Sequence, residues 1–290
     1  MIVSCLGRLS LPFSIKTHIA NQYRTQFNRP VTHINLIRNV KRGFFMQSDN
    51  PMLRRAEFVP TSQPMTINGA VNKSIILTLV ASIVAIALYA YSLSLMQQGL
   101  ASPAGLGMIA GAVGGLVLVL IMTFKPKTSA ALSVPYAVFE GLFLGGISAV
   151  YESRYPGVPA SALLATFVTT ITLFGLYRAG IIRATEKFKS IVISATIAIA
   201  LIFVVQIVMQ LAFKSTIPGL FAQTGILAIG FAAFVAVIAS LNLILDFDLI
   251  EKCAEMGAPK YMEWFCATAL LATLVWMYIS FLRLLGTLRN

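Results

Sequence analysis

The chain has few charged residues and almost no histidine. Only 11% of its 290 residues are charged, against about a quarter in an average soluble domain. Its two histidines, His18 and His33, both lie near the amino terminus. Because no histidine follows residue 33, the rest of the chain cannot form a histidine-ligated metal site or a serine–histidine protease.

Two further chemistries lack their motifs. No Gly-x-x-x-x-Gly-Lys phosphate loop occurs, so the sequence does not predict an ATP-driven pump. An intramembrane aspartyl protease needs acids on two separate helices. Here no Gly-x-Gly-Asp occurs, and the only aspartates after residue 49 are Asp246 and Asp248. We therefore expect a protein that is not an enzyme and that needs no cofactor.

Cysteine is also scarce. The three cysteines, Cys5, Cys253 and Cys266, are an odd number without metal-ligand spacing, so they predict no disulfide framework. Cys266 falls in the last apolar run, where a free cysteine is expected to act as a small buried hydrophobe.

Apolar runs of membrane length are abundant. Hydrophobic residues make up 58% of the chain, and the mean hydropathy is +0.83. Seven runs of about 20 residues are each long enough to cross about 30 Å of hydrocarbon. They cover 74–96, 104–124, 129–151, 160–178, 190–213, 222–247 and 263–286. The gaps between them are short, so the sequence predicts an all-α membrane protein, with a bundle of seven transmembrane helices over residues 73–290.

The residues ahead of this bundle are basic or polar. Residues 1–45 hold seven lysines or arginines and no acid. We expect them to be a basic extension that is not part of the native protein, with translation starting at Met46. The alternative is an organelle transit peptide, because such peptides are rich in arginine and poor in acids. Residues 46–72 contain three prolines and few apolar residues, which predicts a flexible cytoplasmic segment.

The net charge of +12 does not predict a nucleic-acid partner, because the basic residues do not share one soluble face. From Arg54 onwards, eleven lysines and arginines lie on one side of the predicted bundle, either before the first span or in every second gap between spans. The other gaps and the carboxyl terminus hold four. The positive-inside rule then places the amino terminus in the cytoplasm and the carboxyl terminus outside. We expect an integral protein of a bacterial inner membrane or, if residues 1–45 are a transit peptide, of an organelle membrane.

Four acids lie in or beside the apolar runs. Asp246 and Asp248 end the sixth run, Glu140 lies near the middle of the third, and Glu263 begins the last. Ionisable groups at membrane depth usually face a bundle interior or a wet cavity, and so they indicate function. We predict that these four acids form an ion pathway or a pH sensor. Asp246 and Asp248 are candidates for transient calcium binding, because carboxylate oxygens suit that hard cation.

The two aspartates also have a structural interpretation. On a helix, Asp246 shares a stripe with Asn242, and Asp248 shares another with Lys252. The first stripe is deeper and is expected to face a cavity, and the second is expected to lie at the cytoplasmic rim. Alternatively, both aspartates are interfacial acids past the end of the helix, solvated or paired with Lys252.

The two glutamates leave similar alternatives open. Glu140 is either a proton or cation site, or a protonated acid that hydrogen-bonds a neighbouring helix. Glu263 is either a rim acid or the partner that meets Asp246 and Asp248. The glycines near Glu140, together with Gly107, Gly111 and Gly115 of the second span, predict close helix packing.

Several segments of the sequence resemble a known family. The segment Phe-Glu-Gly-Leu-Phe-Leu-Gly-Gly (139–146) resembles the Glu-Gly-Leu-x-Leu-Gly motif of the Bax inhibitor-1/YccA-like membrane proteins. Residues 241–251 (Leu-Asn-Leu-Ile-Leu-Asp-Phe-Asp-Leu-Ile-Glu), 257–264 and 274–285 look like the bacterial branch of that family. The resemblance covers about residues 46–290.

The resemblance implies a seven-helix bundle whose last helix sits among the other six, and a pH-sensitive, calcium-permeable leak. In the family, an aspartate late in the sixth helix hydrogen-bonds one in the last helix and forms a sensor that closes the pore. Asp246 or Asp248 matches the first position. The second falls near Thr273, where this chain has no aspartate. The sensor would then be rebuilt with Glu263 or Glu140, or it would be absent.

The resemblance also leaves a second function open. Some bacterial relatives of this type are linked to a membrane-bound protease, as its substrate or its modulator. In that case the protein would be a non-transporting membrane regulator. Residues 46–72 would be the segment that the protease meets, and the intramembrane acids would be structural.

Overall fold

The computed structural model describes residues 64–217, 219–221 and 225–289. All of them belong to the unit Phe58–Asn290. The predictions made for residues 1–45 and for most of the segment 46–72, up to residue 63, lie outside the described residues.

Seven long helices account for nearly all of the described part of the chain. They are α1 Ile67–Gln97, α2 Ala104–Phe124, α3 Ser129–Arg154, α4 Val158–Arg178, α5 Glu186–Phe213, α6 Ile226–Glu255 and α7 Met262–Leu288. A single 3-10 turn, Pro126–Thr128, precedes α3. All seven helices are long and apolar enough to cross a membrane. The predicted all-α fold with seven membrane-length helices is therefore confirmed.

Six of the seven helices extend beyond the predicted spans at one end or both, and α1 and α6 do so most, because charged residues near those ends were assigned to loops. α1 begins at Ile67 rather than at 74, since the Thr66 hydroxyl caps it by accepting a hydrogen bond from the Gly69 N–H at 3.0 Å. The end of the segment predicted to be flexible, residues 67–72, is therefore helical. α6 continues past 247 to Glu255.

The last helix lies among the others. α7 packs against α1, α3, α4 and α6, whereas α5 packs chiefly against α6. In α7, 56% of the most apolar stretch is buried inside the protein, against 11% in α5. This position of α7 agrees with the bundle that the resemblance implies. A movement of α7 would alter its packing against four neighbouring helices.

Glycines allow the first three helices to approach closely. A Cβ atom added at Gly111 of α2 would lie 2.5 Å from the Phe139 carbonyl oxygen of α3. One added at Gly141 of α3 would lie 2.6 Å from the Ala81 carbonyl oxygen of α1. The prediction that these glycines serve helix packing is confirmed.

Candidate functional site

Asp246 lies inside α6, about two and a half turns before the helix ends. Its side chain faces the Thr273 hydroxyl of α7 across the α6–α7 interface. The residue as a whole is partly buried, but its Oδ2 atom is fully buried and has no hydrogen-bond partner among the described residues. Leaving a buried polar group unsatisfied costs about 1–3 kcal/mol, so such groups are rare and require an explanation.

Thr273 stands where the resemblance places a second aspartate. The contact shows that Asp246, rather than Asp248, is the residue of α6 that faces this position. The helix pair therefore carries one carboxyl and one hydroxyl in place of two carboxyls. A threonine hydroxyl can donate a hydrogen bond to a carboxylate, but it cannot share a proton with it as a second carboxyl would.

Asp248 belongs to a balanced group of charges at the end of α6. Its Oδ2 lies 2.8 Å from Lys189 Nζ of α5 and 3.2 Å from Lys252 Nζ of α6. Glu186 Oε1 lies 3.1 Å from the first lysine and 3.7 Å from the second. The pairing of Asp248 with Lys252 is therefore confirmed, and two acids are compensated by two bases. The expectation that both aspartates lie past the helix end is wrong, because α6 continues to Glu255.

Asn242 does not share a cavity with Asp246. Its side-chain N–H donates to Thr196 Oγ1 of α5 at 2.8 Å and to the Ile238 carbonyl oxygen at 2.9 Å. Positions four apart on a helix differ by about 40° in direction. That rotation turns Asn242 towards α5 and Asp246 towards α7, so the predicted stripe divides between two interfaces.

Glu263 has a different partner from the two aspartates. It lies in the first turn of α7, is 1% exposed and forms an ion pair with Lys73 Nζ of α1. The Thr66 N–H donates to Glu263 Oε1 at 2.9 Å, and the Thr66 hydroxyl donates to the same oxygen at 3.2 Å. Lys73 Nζ also lies 5.2 Å from the centre of the Trp264 ring. This ion pair joins the beginnings of α1 and α7.

Glu140 faces a polar group of its own helix. Its carboxyl lies beside the hydroxyl of Tyr136, one turn earlier in α3. It also packs on α2, where a Cβ atom at Gly115 would lie 3.2 Å from Glu140 Oε1. The neighbours of this acid are therefore Tyr136 on α3 and the glycine-lined face of α2.

The structure does not bring Glu140 and Asp246 together. Glu140 lies at the α2–α3 interface and Asp246 at the α6–α7 interface. A buried apolar cluster occupies the space where α1, α2, α3 and α7 meet. It consists of Leu77, Ala81, Met122, Tyr136, Ala137, Ala267, Leu271 and Val275.

The described residues do not gather a set of metal ligands. Within 64–217, 219–221 and 225–289, no three acidic, histidine or cysteine side chains lie close enough to hold a metal ion. Calcium takes six to eight oxygen ligands. Asp246 and Asp248 alone would therefore supply only part of a calcium site, and their side chains meet different neighbours.

Arg283 of α7 is a partly buried cation whose surroundings the sequence did not reveal. Its guanidinium carbon lies 4.3 Å from the ring centre of Phe221, 5.2 Å from Phe231 and 5.7 Å from Phe203. Its Nη2 donates to the Leu220 carbonyl oxygen at 2.7 Å. By sequence Arg283 is one of the four basic residues on the outer side, and its aromatic neighbours could not be inferred because they lie far from it in the chain.

Comparison with known proteins identifies the family. A family model described as Bax inhibitor 1 like matches residues 19–290, a range that includes all seven helices. No curated protein and no solved structure matches the chain at a significant level. Since the match covers most of the chain, this integral membrane protein belongs to the Bax inhibitor 1-like family.

Proposed function

We propose that this protein is a calcium-permeable cation leak channel in which protonation of Asp246 controls conduction, and that it has no enzymatic activity. The observation that carries the proposal is the buried Asp246 Oδ2 without a partner in the described part of the chain. A carboxyl at membrane depth with one costly, unsatisfied oxygen indicates function more strongly than packing does.

Charge balance distinguishes Asp246 from two of the other candidate acids. Asp248 is compensated by Lys189 and Lys252, and Glu263 is compensated by Lys73. No lysine or arginine lies within salt-bridge distance of Asp246 among the described residues. Its charge therefore changes the local field when it gains or loses a proton, and this effect is larger at low dielectric than in water.

Protonation of Asp246 changes the strength of its contact with Thr273, and so the contact between α6 and α7. A hydrogen bond from the Thr273 hydroxyl to an ionised Asp246 is stronger than the bond to a neutral carboxyl by about 1–2 kcal/mol. The ionised carboxyl holds α6 against α7, and protonation in acid weakens the contact. We take the closed form to have α6 and α7 in contact and the open form to have them separated. A difference of about 1–2 kcal/mol changes the ratio of open to closed protein by about 5–30-fold. Conduction is therefore expected to rise as the pH falls.

The test is calcium entry into liposomes that contain the purified full chain, measured from acid to alkaline pH. Asp246→Asn keeps the size of the side chain but cannot titrate, so its flux should no longer depend on pH. Asp248→Asn is the matched control, because it removes an acid of the same helix that two lysines already compensate. It should keep the wild-type pH dependence. A wild-type pH profile in Asp246→Asn would contradict the proposal.

We infer that α1 begins at the cytoplasmic face of the membrane. The helix connections on that side carry Lys125, Lys127, Arg183 and Lys260, and the residues between helices on the opposite side include only Lys214. The positive-inside rule favours this orientation. A reporter fused after Arg289 should be active on the outer side, and a cytoplasmic carboxyl terminus would reverse the assignment.

A further inference from the structure

Two free cysteines face each other between the helices that carry Asp246 and Thr273. Cys253 lies in the last turn of α6 and Cys266 in the second turn of α7. Both are buried, with 0% and 1% of their surfaces exposed, and they are not linked. Their helices pack against each other and are joined by the short turn 256–261, which places the two side chains close together across the α6–α7 interface.

The register of the helix pair places the thiols together for an independent reason. The short turn between α6 and α7 makes the two helices antiparallel, so each step forward along α6 is a step back along α7. Cys253 follows Asp246 by seven residues, and Cys266 precedes Thr273 by seven. Seven residues are about two turns, which return to the same helix face. Together with the contact of Ser240 Oγ with Met277 Sδ at 3.4 Å in the same helix pair, this register places the two cysteines opposite each other.

We propose that Cys253 and Cys266 form a redox-active dithiol that hydrogen peroxide closes to a disulfide, tying α6 to α7. One thiolate attacks the peroxide and breaks its O–O bond, which gives a sulfenic acid and hydroxide. The second sulfur then attacks the sulfenic sulfur, an S–S bond forms and water leaves. Two electrons pass from the two sulfurs to the peroxide, so two thiols and one peroxide yield one disulfide and two waters.

Burial favours this oxidant over larger ones. Hydrogen peroxide is uncharged and close to water in size, whereas a disulfide such as oxidised glutathione cannot reach a thiol with almost no exposed surface. A cysteine pair in contact can also complete the second step without a further reactant. This arrangement distinguishes the pair from a single buried cysteine, which packs as a small hydrophobe and has no resolving partner.

The position of the pair suggests what the disulfide would do. It lies about 10 Å along the helices from the contact between Asp246 and Thr273. A covalent bond there opposes any separation of α6 from α7. If conduction requires that separation, a step that rests on the proposed function, the oxidised protein is closed and the reduced protein responds to pH.

The chemical test uses the full chain in liposomes, with Cys5→Ser so that only the pair remains. After treatment with peroxide, the protein is denatured, its free thiols are alkylated and it is digested with trypsin. Cleavage after Lys260 separates the cysteines into the peptides 253–260 and 261–283. The expected product is the two peptides joined by a bond that dithiothreitol releases. Separate peptides, alkylated or individually oxidised, would overturn the proposal.

Calcium flux through the same liposomes tests the regulatory consequence. Peroxide should reduce the flux to that of empty liposomes, and dithiothreitol should restore it. Cys253→Ser and Cys266→Ser are the matched controls, because each leaves one thiol that cannot close, and their flux should not respond. A linked peptide without any loss of flux would overturn the locking role. Absence of flux in the reduced protein would instead reject the channel, while the peptides still decide whether the dithiol forms.

Discussion

The buried ion pair between Lys73 and Glu263 gives a quantitative prediction about stability. Glu263 is almost fully buried. Its side chain accepts two hydrogen bonds from Thr66 and forms an ion pair with Lys73. Glu263→Ala removes all of these acceptors at once. The Lys73 ammonium group would then remain largely shielded from water without its partner, so the variant should be much less stable than the wild type.

The size of the effect follows from burial. Removing one member of a buried ion pair costs about 3–5 kcal/mol, because the remaining charge is left without compensation. The Lys73 side chain is 15% exposed and can partly reach water, so the loss is expected near the lower limit, at about 3 kcal/mol. In a protein of this size, each kcal/mol lowers the melting temperature by about 2–4 °C, so the expected decrease is about 6–12 °C.

The assay is thermal unfolding of the full chain in detergent micelles. Glu186→Ala is the matched control, since Glu186 also pairs with lysines but its side chain is 74% exposed. Exposed ion pairs contribute little to stability, so this control should melt close to the wild type. If Glu263→Ala melts at the same temperature as Glu186→Ala, the inference of a buried, stabilising ion pair is refuted.

Two further predictions concern packing and the other intramembrane acid. Gly111→Ala should lower the melting temperature, because its Cβ would meet the α3 backbone at 2.5 Å. Gly230→Ala, with no atom within 4 Å of its Cβ, should not lower it, and equal melting of the two variants would argue against close α2–α3 packing. Glu140→Gln should keep both the fold and the pH dependence of calcium flux, because Tyr136 already partners this acid. A flat pH profile in that variant would transfer the sensing role to Glu140.

The helices were predictable wherever apolar residues end at clear polar boundaries. The span predicted at 104–124 is the helix α2, because its sequence contains no charge. The beginning of α1 was not predicted, because Lys73 was assigned to a loop. The Thr66 cap starts the helix ahead of Lys73, and the charge of Lys73 is compensated there by Glu263, which is 190 residues away in the chain. A contact over that distance leaves no periodic signal in the sequence.

The candidate site was predictable only in its local parts. The pairing of Asp248 with Lys252 follows from their spacing by four on one helix. The second partner, Lys189, comes from α5, and its contribution could not be inferred from the spacing. The direction of Asp246 towards α7 depends on how α6 is rotated in the bundle. That rotation is set by packing against α4, α5 and α7 together rather than by the sequence of α6 alone.

The most direct test of the account is calcium entry into liposomes that contain the wild-type protein, compared with empty liposomes, from acid to alkaline pH. If Asp246 controls a calcium-permeable channel, calcium entry should exceed that of empty liposomes. It should be highest in acid and decrease as Asp246 becomes charged. Entry equal to that of empty liposomes at every pH would contradict the channel and would favour a non-transporting regulator of a membrane-bound protease.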